Sequence, residues 1–329
     1  KMDKDGKIVE KGYGIFQPRI SIPPQSANKT WFSKIFSGNV GIDPYTTAVS
    51  DIYQDLFGEG VYTGKGLYDV GVFESVLGDR LPENTILSHD LLESTYLRAA
   101  LVTDIELFDD YPTTYLSYTK RNHRWIRGDW QILPWLFSKV PGDGTKKEVN
   151  PINSISKWKI FDNLRRSLNP LFILLLFLAS WVLLPGSPVI GTLAALGITA
   201  FPIYSSFSIQ LFTRPVRVAW KLYFEKLKAD FKINTLQSLT TLLVMPHQAY
   251  TALDAIIRTL WRKYISRKLL LEWVTASQTE KESKGRLIDY FRRMWINPAW
   301  SLFCLTAVFL TNPNVLFLAV PFALFGRQG

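Results

Sequence analysis

The chain has 329 residues, of which 47% are hydrophobic, and 38 Lys and Arg against 28 Asp and Glu give it a formal net charge of +10. This composition excludes an intrinsically disordered chain and a collagen-like chain. The single cysteine, Cys304, excludes a disulfide within the chain. Charge is unevenly distributed, because residues 167–213 and 294–326 contain no Asp, Glu, Lys or Arg.

The basic excess flanks these uncharged runs. Residues 154–293 contain 20 Lys and Arg and 8 Asp and Glu, whereas residues 1–153 contain 17 and 20. Membrane proteins place Lys and Arg in this way beside their spans, on the cytoplasmic side. A nucleic-acid-binding protein is also basic, but it does not normally interleave its charge with a long uncharged run. We therefore expect membrane lipids, and no nucleic acid, among the partners.

Residues 1–153 have the pattern of a soluble α/β domain. The predicted elements are, in order, a strand at 14–22, helices at 44–57, from 69 and at 91–101, a strand at 105–108 and a helix at 118–137. A glycine-rich loop covers 60–66, and a second loop from 142 marks the domain boundary. The charged first residues have no apolar signal-peptide region. Both ends look like cuts, so we expect a fragment of a longer protein.

Residues 154–329 are predicted to form a membrane domain. A Pro-Gly-Ser-Pro turn at 185–188 divides the first uncharged run into two near-complete spans, which would form a helical hairpin with both basic flanks in the cytoplasm. The predicted membrane elements are spans at 169–184, 189–207 and 295–311, a truncated span at 315–329, and an interfacial segment at 212–293. Within that segment, 236–260 is open between an interfacial amphipathic helix, a re-entrant segment and a basic surface helix held by anionic lipid.

The first candidate functional residue is Asp90, which lies just before a predicted helix. Asp90 or Ser88 could serve only as the N-cap of that helix. Alternatively, Asp90 is a general base, because a carboxylate that faces a sugar hydroxyl can take its proton as the hydroxyl attacks an anomeric carbon. The local sequence leaves both interpretations open.

A second candidate is the segment 121–131, which holds three arginines, two tryptophans and a glutamine. At helical spacing Arg121, Arg124 and Gln131 share one face. Arginines bind diphosphate oxygens bidentately, and tryptophans stack on sugar rings. The alternative is a basic aromatic helix that lies on the membrane surface.

A third candidate is the loop 62–66, in which glycines permit close approach of the backbone to a ligand. The alternative for this loop is an ordinary turn. The sequence contains no Walker loop, no GxGxxG or GxSxG motif and no Cys/His zinc pattern.

Together the three motifs resemble those of membrane-embedded, processive family-two-like glycosyltransferases, which include cellulose and hyaluronan synthases. In that group a glycine-containing loop, a Thr-Glu-Asp motif with the catalytic base and a Gln-x-x-Arg-Trp motif precede transmembrane helices. Here the equivalent stretches are 64–66, 88–90 and 121–125, with His89 in place of Glu and Arg121 in place of Gln. Longer strings resemble the glycosyltransferase module of bacterial cyclic β-1,2-glucan synthases: Phe16–Arg19, Asp43–Thr46, Ser50–Glu59, Gly64–Asp69, Leu87–Glu93, Arg124–Gln131 and Leu270–Trp273.

The resemblance implies an inverting glucosyltransferase at the cytoplasmic face of the bacterial inner membrane. Such an enzyme transfers glucose from UDP-glucose to a growing β-1,2-glucan on a protein-attached primer. It works beside a cyclising module and a phosphorylase-like module of the same longer chain. The residues implied are Asp90 as the catalytic base, Arg121, Arg124 and Gln131 at the UDP diphosphate, and Gly64, Lys65, Gly66, His89 and Trp125 at the acceptor.

The resemblance also implies a fold, namely the C-terminal half of a GT-A type domain followed by transmembrane hairpins and interfacial helices. The half that binds uridine and a divalent metal, Mg or Mn, would then lie upstream. We therefore expect no metal site in this chain and no activity from the fragment alone. A related synthase of another linkage or sugar, and a non-catalytic multi-pass component that binds or transports sugar, are the alternatives.

Overall fold

The computed structural model describes residues 1–37, 51–78, 80–142, 147–213, 218–272 and 287–325. The chain divides into two compact units. The first comprises Lys1–Ser167 and Asp254–Ser283, and the second comprises Leu168–Leu253 and Lys284–Gly329. The described part is mostly helical with a small mixed sheet. The predicted boundary at 153/154 between a soluble and a membrane domain stays a prediction, because the division into units does not locate a membrane.

The helices and strands have the following bounds. The strands are β1 (Ile15–Ser21), β2 (Leu67–Tyr68), β3 (Ala99–Phe108), β4 (Lys139–Pro141) and β5 (Lys147–Val149). The earlier helices are α1 (Pro24–Ala27), α2 (Trp31–Phe36), α3 (Ile52–Phe57), α4 (Val70–Leu77), α5 (Asp90–Leu97) and α6 (Tyr115–Gln131). The later helices are α7 (Ser154–Val182), α8 (Pro188–Phe212), α9 (Trp220–Trp261), α10 (Leu287–Arg293), α11 (Ile296–Thr311) and α12 (Leu316–Phe325).

The sheet of the first unit has the order β2-β1-β3, with β1 antiparallel to β2 and parallel to β3. Ile15 pairs with Ala99, and the register shifts after Pro18, where proline cannot donate a ladder hydrogen bond. Because β1 is central, it brings the loop before β2 and the turn between α5 and β3 to the same sheet.

Helix α5 and strand β3 correct a predicted boundary. The predicted helix 91–101 ends at Leu97, and Arg98 takes a left-handed φ of 57°. Ala99 and Ala100 favour helix by intrinsic propensity, but here they pair with β1 in a parallel strand, so tertiary pairing wins. The predicted strand 105–108 is therefore the end of a longer strand.

The other predicted elements of the first unit are largely confirmed. The strand at 14–22 is β1, and the helix opening at 69 is α4, capped by the Asp69 side chain. Helix α6 begins at Tyr115 and ends at Gln131, several residues before the predicted end at 137. The part of the predicted helix 44–57 that precedes residue 51 lies outside the described residues, as do Asp43–Thr46, most of the loop from 142, Trp273 and the end of the fourth span.

The core of the first unit is built from apolar residues of the sheet, of α5 and of the start of α7. Its most deeply buried members are Ile15, Val76, Leu92, Tyr96, Leu97, Ala99, Trp135 and Ile160. The Trp135 indole N–H donates to the Tyr96 hydroxyl at 3.1 Å, which satisfies a polar group that burial would otherwise penalise. This core fixes α5, and with it the turn that carries Asp90.

Two helices that lie wholly or partly in the second unit are long and apolar enough to cross a membrane, judged by length and composition within the described residues. They are α7 and the stretch Pro188–Ser205 of α8. Residues 183–187 separate them, as the predicted hairpin requires. The predicted span at 295–311 corresponds to α11, a shorter apolar helix. The stretch 236–260 lies within α9, which continues through Pro246 as one helix.

Candidate active site

Gly64 and Asp90 are brought into direct proximity. Gly64 has a φ of 80°, a conformation that side chains with a Cβ rarely adopt. A Cβ built on Gly64 would lie 2.7 Å from Asp90 Oδ1, far inside van der Waals contact. Both the positive φ and the close approach to Asp90 therefore require glycine at this position. The loop lies directly over the carboxylate of Asp90.

A buried glutamine of β1 fixes the conformation of this loop. The side-chain amide of Gln17, only 2% exposed, accepts from Thr63 N at 2.9 Å and donates to the carbonyl oxygen of Lys65 at 3.0 Å. Gly66 lies against the backbone oxygen of Phe16, so this second glycine is required by close packing on β1. The backbone on both sides of Gly64 is thus bonded to the central strand.

Asp90 is the first residue of α5, and His89 occupies the N-cap position without a side-chain capping bond. The interpretation of Asp90 or Ser88 as the N-cap is therefore wrong. The Ser88 hydroxyl donates to Asp90 Oδ2 at 3.2 Å, and a ring nitrogen of His89 lies 2.9 Å from the carbonyl oxygen of Ile86. The side chain of Asp90 is thus free of a capping role and is oriented by its own turn.

The electrostatic environment of Asp90 suits a base. Burial raises the pKa of the Asp90 carboxyl above its usual value, while the Ser88 hydroxyl and the charges of His89 and Arg124 act against that shift. A carboxylate with a raised pKa holds a transferred proton more firmly, which makes it a stronger general base than an exposed aspartate. Because the charge of Arg124 acts on the Asp90 carboxyl, the predicted base and the predicted diphosphate ligand belong to one electrostatic cluster.

Two further ionisable groups share this cluster. Burial, followed by repulsion from Asp90, raises the pKa of Glu93 to about 7. Burial, then repulsion from Glu93 and Asp90, raises the pKa of Tyr62 to about 12. Glu93 follows Asp90 by three residues, so the two carboxylates lie on the same face of α5.

Glu93→Gln should change the pH dependence of stability. Because the folded state binds the Glu93 proton more tightly than the unfolded state, whose pKa is near 4.5, this group makes stability fall as pH rises toward about 7. At pH 8 we expect the variant to unfold at a temperature about 2–4 °C higher than wild type. This shift corresponds to a gain of about 1 kcal/mol in the free energy of unfolding, a value reduced to allow for the partial exposure of Glu93 to solvent. At pH 5 the two proteins should unfold alike.

The measurement is the thermal unfolding midpoint of the full-length protein in detergent at pH 5 and pH 8. Glu83→Gln, at an exposed glutamate of the same unit, is the matched control and should leave the pH dependence unchanged. A lower midpoint of Glu93→Gln at pH 8 would show that ionised Glu93 stabilises the fold.

The glycine loop and α6 are joined through an acidic residue. Asp109, directly after β3, forms ion pairs with Lys65 and with Arg121, the latter at 3.7 Å. The Arg121 guanidinium also lies 4.5 Å from the centre of the Trp125 ring, within cation–π range. Three predicted site residues thus form one connected group, in which Asp109 links Lys65 to Arg121 and Arg121 contacts Trp125.

The second half of α6 packs tightly on the turn that carries Asp90. A Cβ on Gly128 would lie 2.8 Å from Ser88 Cβ, so glycine allows α6 to approach this turn. The side chain of Gln131 is 1% exposed and accepts from Leu87 N at 2.6 Å. Its other end donates to the carbonyl oxygen of Leu270 at 3.0 Å.

The structure therefore groups the predicted site residues in two ways. One group centres on the Gly64 loop, which faces Asp90 and is joined to α6 through Lys65 and Asp109. Its predicted members are Gly64, Lys65, Gly66, His89, Asp90, Arg121, Arg124 and Trp125. Gln131 stands apart, because its side-chain amide is bonded to backbone groups.

Sequence reasoning missed Gln17, Asp109 and Glu93. A signal existed for the first, since Gln17 is a polar residue two positions from Ile15 on the buried face of a strand. No comparable signal marked Asp109 or Glu93.

Within the described residues, no group of three or more His, Cys, Asp or Glu side chains is placed to hold a metal ion. Within these residues, the carboxylates of Asp90 and Glu93 have no third His, Cys, Asp or Glu side chain placed to complete a metal site with them. The residues described therefore do not fit a metal centre, and the divalent metal stays a prediction.

Comparison with known proteins identifies a relative. The cyclic beta-(1,2)-glucan synthase NdvB of Rhizobium meliloti (strain 1021) is 40% identical to this chain over 319 residues. The matched part is 96% of this chain but 11% of the relative, so the chain spans about a tenth of that protein's length. No protein-family model matches the chain. The chain is related to this glucan synthase, which confirms the resemblance that the motifs indicated.

Proposed function

We propose that the chain is part of an inverting glucosyltransferase that transfers glucose from UDP-glucose to a growing β-1,2-glucan. The observation that carries this proposal is the contact of Gly64 with Asp90 in one cluster with Arg124, in a chain related to a cyclic β-1,2-glucan synthase. Glucan synthesis is the activity in the relative's name, and donor, stereochemistry and acceptor are proposed from the motifs.

In the proposed reaction the acceptor sugar lies on the Gly64 loop with its 2-hydroxyl facing Asp90. Asp90 removes the hydroxyl proton as the oxygen attacks the anomeric carbon of glucose from the side opposite UDP. The bond from that carbon to the diphosphate oxygen breaks, and UDP leaves with the electron pair. One base is sufficient for this single displacement, which inverts the anomeric centre.

The remaining residues of the cluster bind and orient. Arg124 would neutralise the charge that develops on the departing diphosphate, as guanidinium groups do in bidentate contacts. Trp125, backed by the guanidinium of Arg121, would offer its ring to the acceptor sugar. Lys65 and Arg121, both bonded to Asp109, would hold the loop and α6 at a fixed separation around the acceptor.

We further propose a GT-A type fold for the complete domain and a position at the cytoplasmic face of the bacterial inner membrane. The parallel pair β1–β3 with α5 between the strands supports the first, and two helices long and apolar enough to span a membrane support the second. Large apolar side chains of α8 are exposed, as lipid-facing residues would be: Ile190, Leu193, Ile198 and Phe201.

A divalent metal held upstream would stabilise the charge of the donor diphosphate. The same proposal includes a cyclising module and a phosphorylase-like module in the same longer chain, and a protein-attached primer on which the glucan grows.

The test is incorporation of radiolabelled glucose into polymer by membranes that contain the full-length protein. We expect label from UDP-glucose to enter a glucan and an excess of unlabelled UDP-galactose to leave the rate unchanged. Label that enters equally well from UDP-galactose would favour a synthase for another sugar. The absence of any incorporation would favour a component that only binds or transports sugar.

A further inference from the structure

We propose that Gln131 is a positioning residue that holds the turn carrying Asp90 against residues 262–272, and that it does not bind the diphosphate. The expected effect on the reaction rate rests on the proposed function. The hydrogen bonds of Gln131 to the turn and to residues 262–272 do not depend on that function. It also revises the role that the sequence motif implied for this residue.

Hydrogen bonds occupy both ends of the Gln131 amide. Its oxygen accepts from Leu87 N at 2.6 Å, and its nitrogen donates to Leu270 O at 3.0 Å. The residue is 1% exposed, so a ligand would have to displace protein contacts to reach it. A buried amide bonded at both ends is a structural bridge, because breaking either bond leaves a buried polar group unpaired.

The bridge connects two segments that lie far apart in sequence. Leu87 precedes Asp90 by three residues and lies in the turn that orients the carboxylate. Leu270 belongs to the stretch after α9, where Arg267 and Leu269 both have a positive φ. Gln131 therefore connects the turn that carries the base with an irregular segment, in which Arg262 also bonds the carbonyl oxygen of Leu269 and the carboxylate of Glu272.

Neighbouring residues of α6 hold the same segment and so indicate that its position is specified. Arg127, one helical turn before Gln131, donates to the carbonyl oxygens of Glu272 at 2.9 Å and Leu270 at 3.2 Å. Lys263 donates to the backbone oxygen of Gln131. Within the part of the chain that the structure describes, Arg127 bonds this segment but not the Asp90 turn, so mutation can separate its role from that of Gln131.

The consequence for catalysis is geometric. Without the bond from Leu87 N, the turn 86–90 keeps its packing against Gly128 but loses its hydrogen bond to α6, so Asp90 can shift relative to the acceptor hydroxyl. A displacement of about 1 Å between reacting groups can reduce a rate about 100-fold. The diphosphate site at Arg124 would be unaffected, so turnover and UDP binding should separate.

The kinetic test uses Gln131→Met, which keeps the length of the side chain and removes both bonds. We expect kcat to fall about 10- to 100-fold while the inhibition constant of UDP stays within about twofold of wild type. Gln131→Glu keeps an acceptor for Leu87 N and should retain more activity than Gln131→Met. Arg124→Ala is the positive control for weakened UDP inhibition. A UDP inhibition constant that rises at least tenfold in Gln131→Met, or unchanged kcat, would overturn the proposal.

Hydrogen–deuterium exchange of the full-length protein tests the bridge without reference to activity. Gln131→Met should speed exchange in peptides that cover residues 86–90 and 262–272 and leave β1 unchanged. Arg127→Met, as the matched control, should affect 262–272 alone. Unchanged exchange at 86–90 in Gln131→Met would overturn the bridge. If wild-type membranes incorporate no glucose, the proposed function fails, but this measurement still decides the role of Gln131.

Discussion

Asp90→Asn should reduce glucose incorporation by about 10²- to 10⁴-fold, the range that a general base contributes. The amide is nearly isosteric with the carboxylate and can keep the contact with Gly64 and the bond from Ser88, so the turn should remain in place. What it cannot do is accept the proton of the acceptor hydroxyl. We therefore expect kcat to fall while the inhibition constant of UDP stays close to that of wild type.

The measurement is the rate of label transfer from UDP-glucose in membranes with equal amounts of full-length protein. Asp104→Asn, at an exposed aspartate of β3, removes the same charge away from the cluster and should leave the rate unchanged. Incorporation near the wild-type rate in Asp90→Asn would mean that Asp90 is not the base.

Gly64→Ala should also reduce incorporation, by about 100-fold, through the position of Asp90. The new methyl group would lie 2.7 Å from Asp90 Oδ1, so either the loop or the carboxylate must move. Gln17 resists movement of the loop, because it bonds the backbone on both sides of Gly64. The carboxylate is therefore expected to give way, and a misplacement of about 1 Å has this effect on rate.

Gly12→Ala separates this contact from simple backbone strain. Gly12 has a φ of 81°, close to the 80° of Gly64, but a Cβ built on it meets nothing within 4 Å. Both variants therefore carry the strain of a left-handed alanine, about 1–2 kcal/mol. We expect Gly12→Ala to keep its incorporation rate at 25 °C. Equal loss in both variants would assign the effect to strain in the fold and not to Asp90.

The sequence predicted the local elements better than the contacts between them. The strand at β1 and the caps of α4 depend on neighbouring residues, so local patterns were sufficient. The end of α5 was missed, because the β propensity of two alanines is weak and only pairing with Ile15 makes them a strand.

In the candidate site, too, the sequence predicted individual residues and motifs better than the contacts between them. Asp90 and the glycine loop were found from motifs, and their mutual contact follows from a sheet that the sequence does not reveal. Gln131 shares a helical face with Arg124 by spacing, but its actual partners are backbone groups at Leu87 and Leu270. Such long-range partners of a buried side chain are set by packing, and a helical pattern carries no information about them.

The most direct test of the central claim is linkage analysis of the polymer that the full-length protein makes from labelled UDP-glucose. Permethylation and hydrolysis of the product identify the hydroxyl to which each new glucose is attached. The account predicts labelled 2-linked glucose in wild-type membranes and its loss in Asp90→Asn membranes. Labelled glucose attached mainly at another hydroxyl, or 2-linked label that persists in Asp90→Asn, would contradict it.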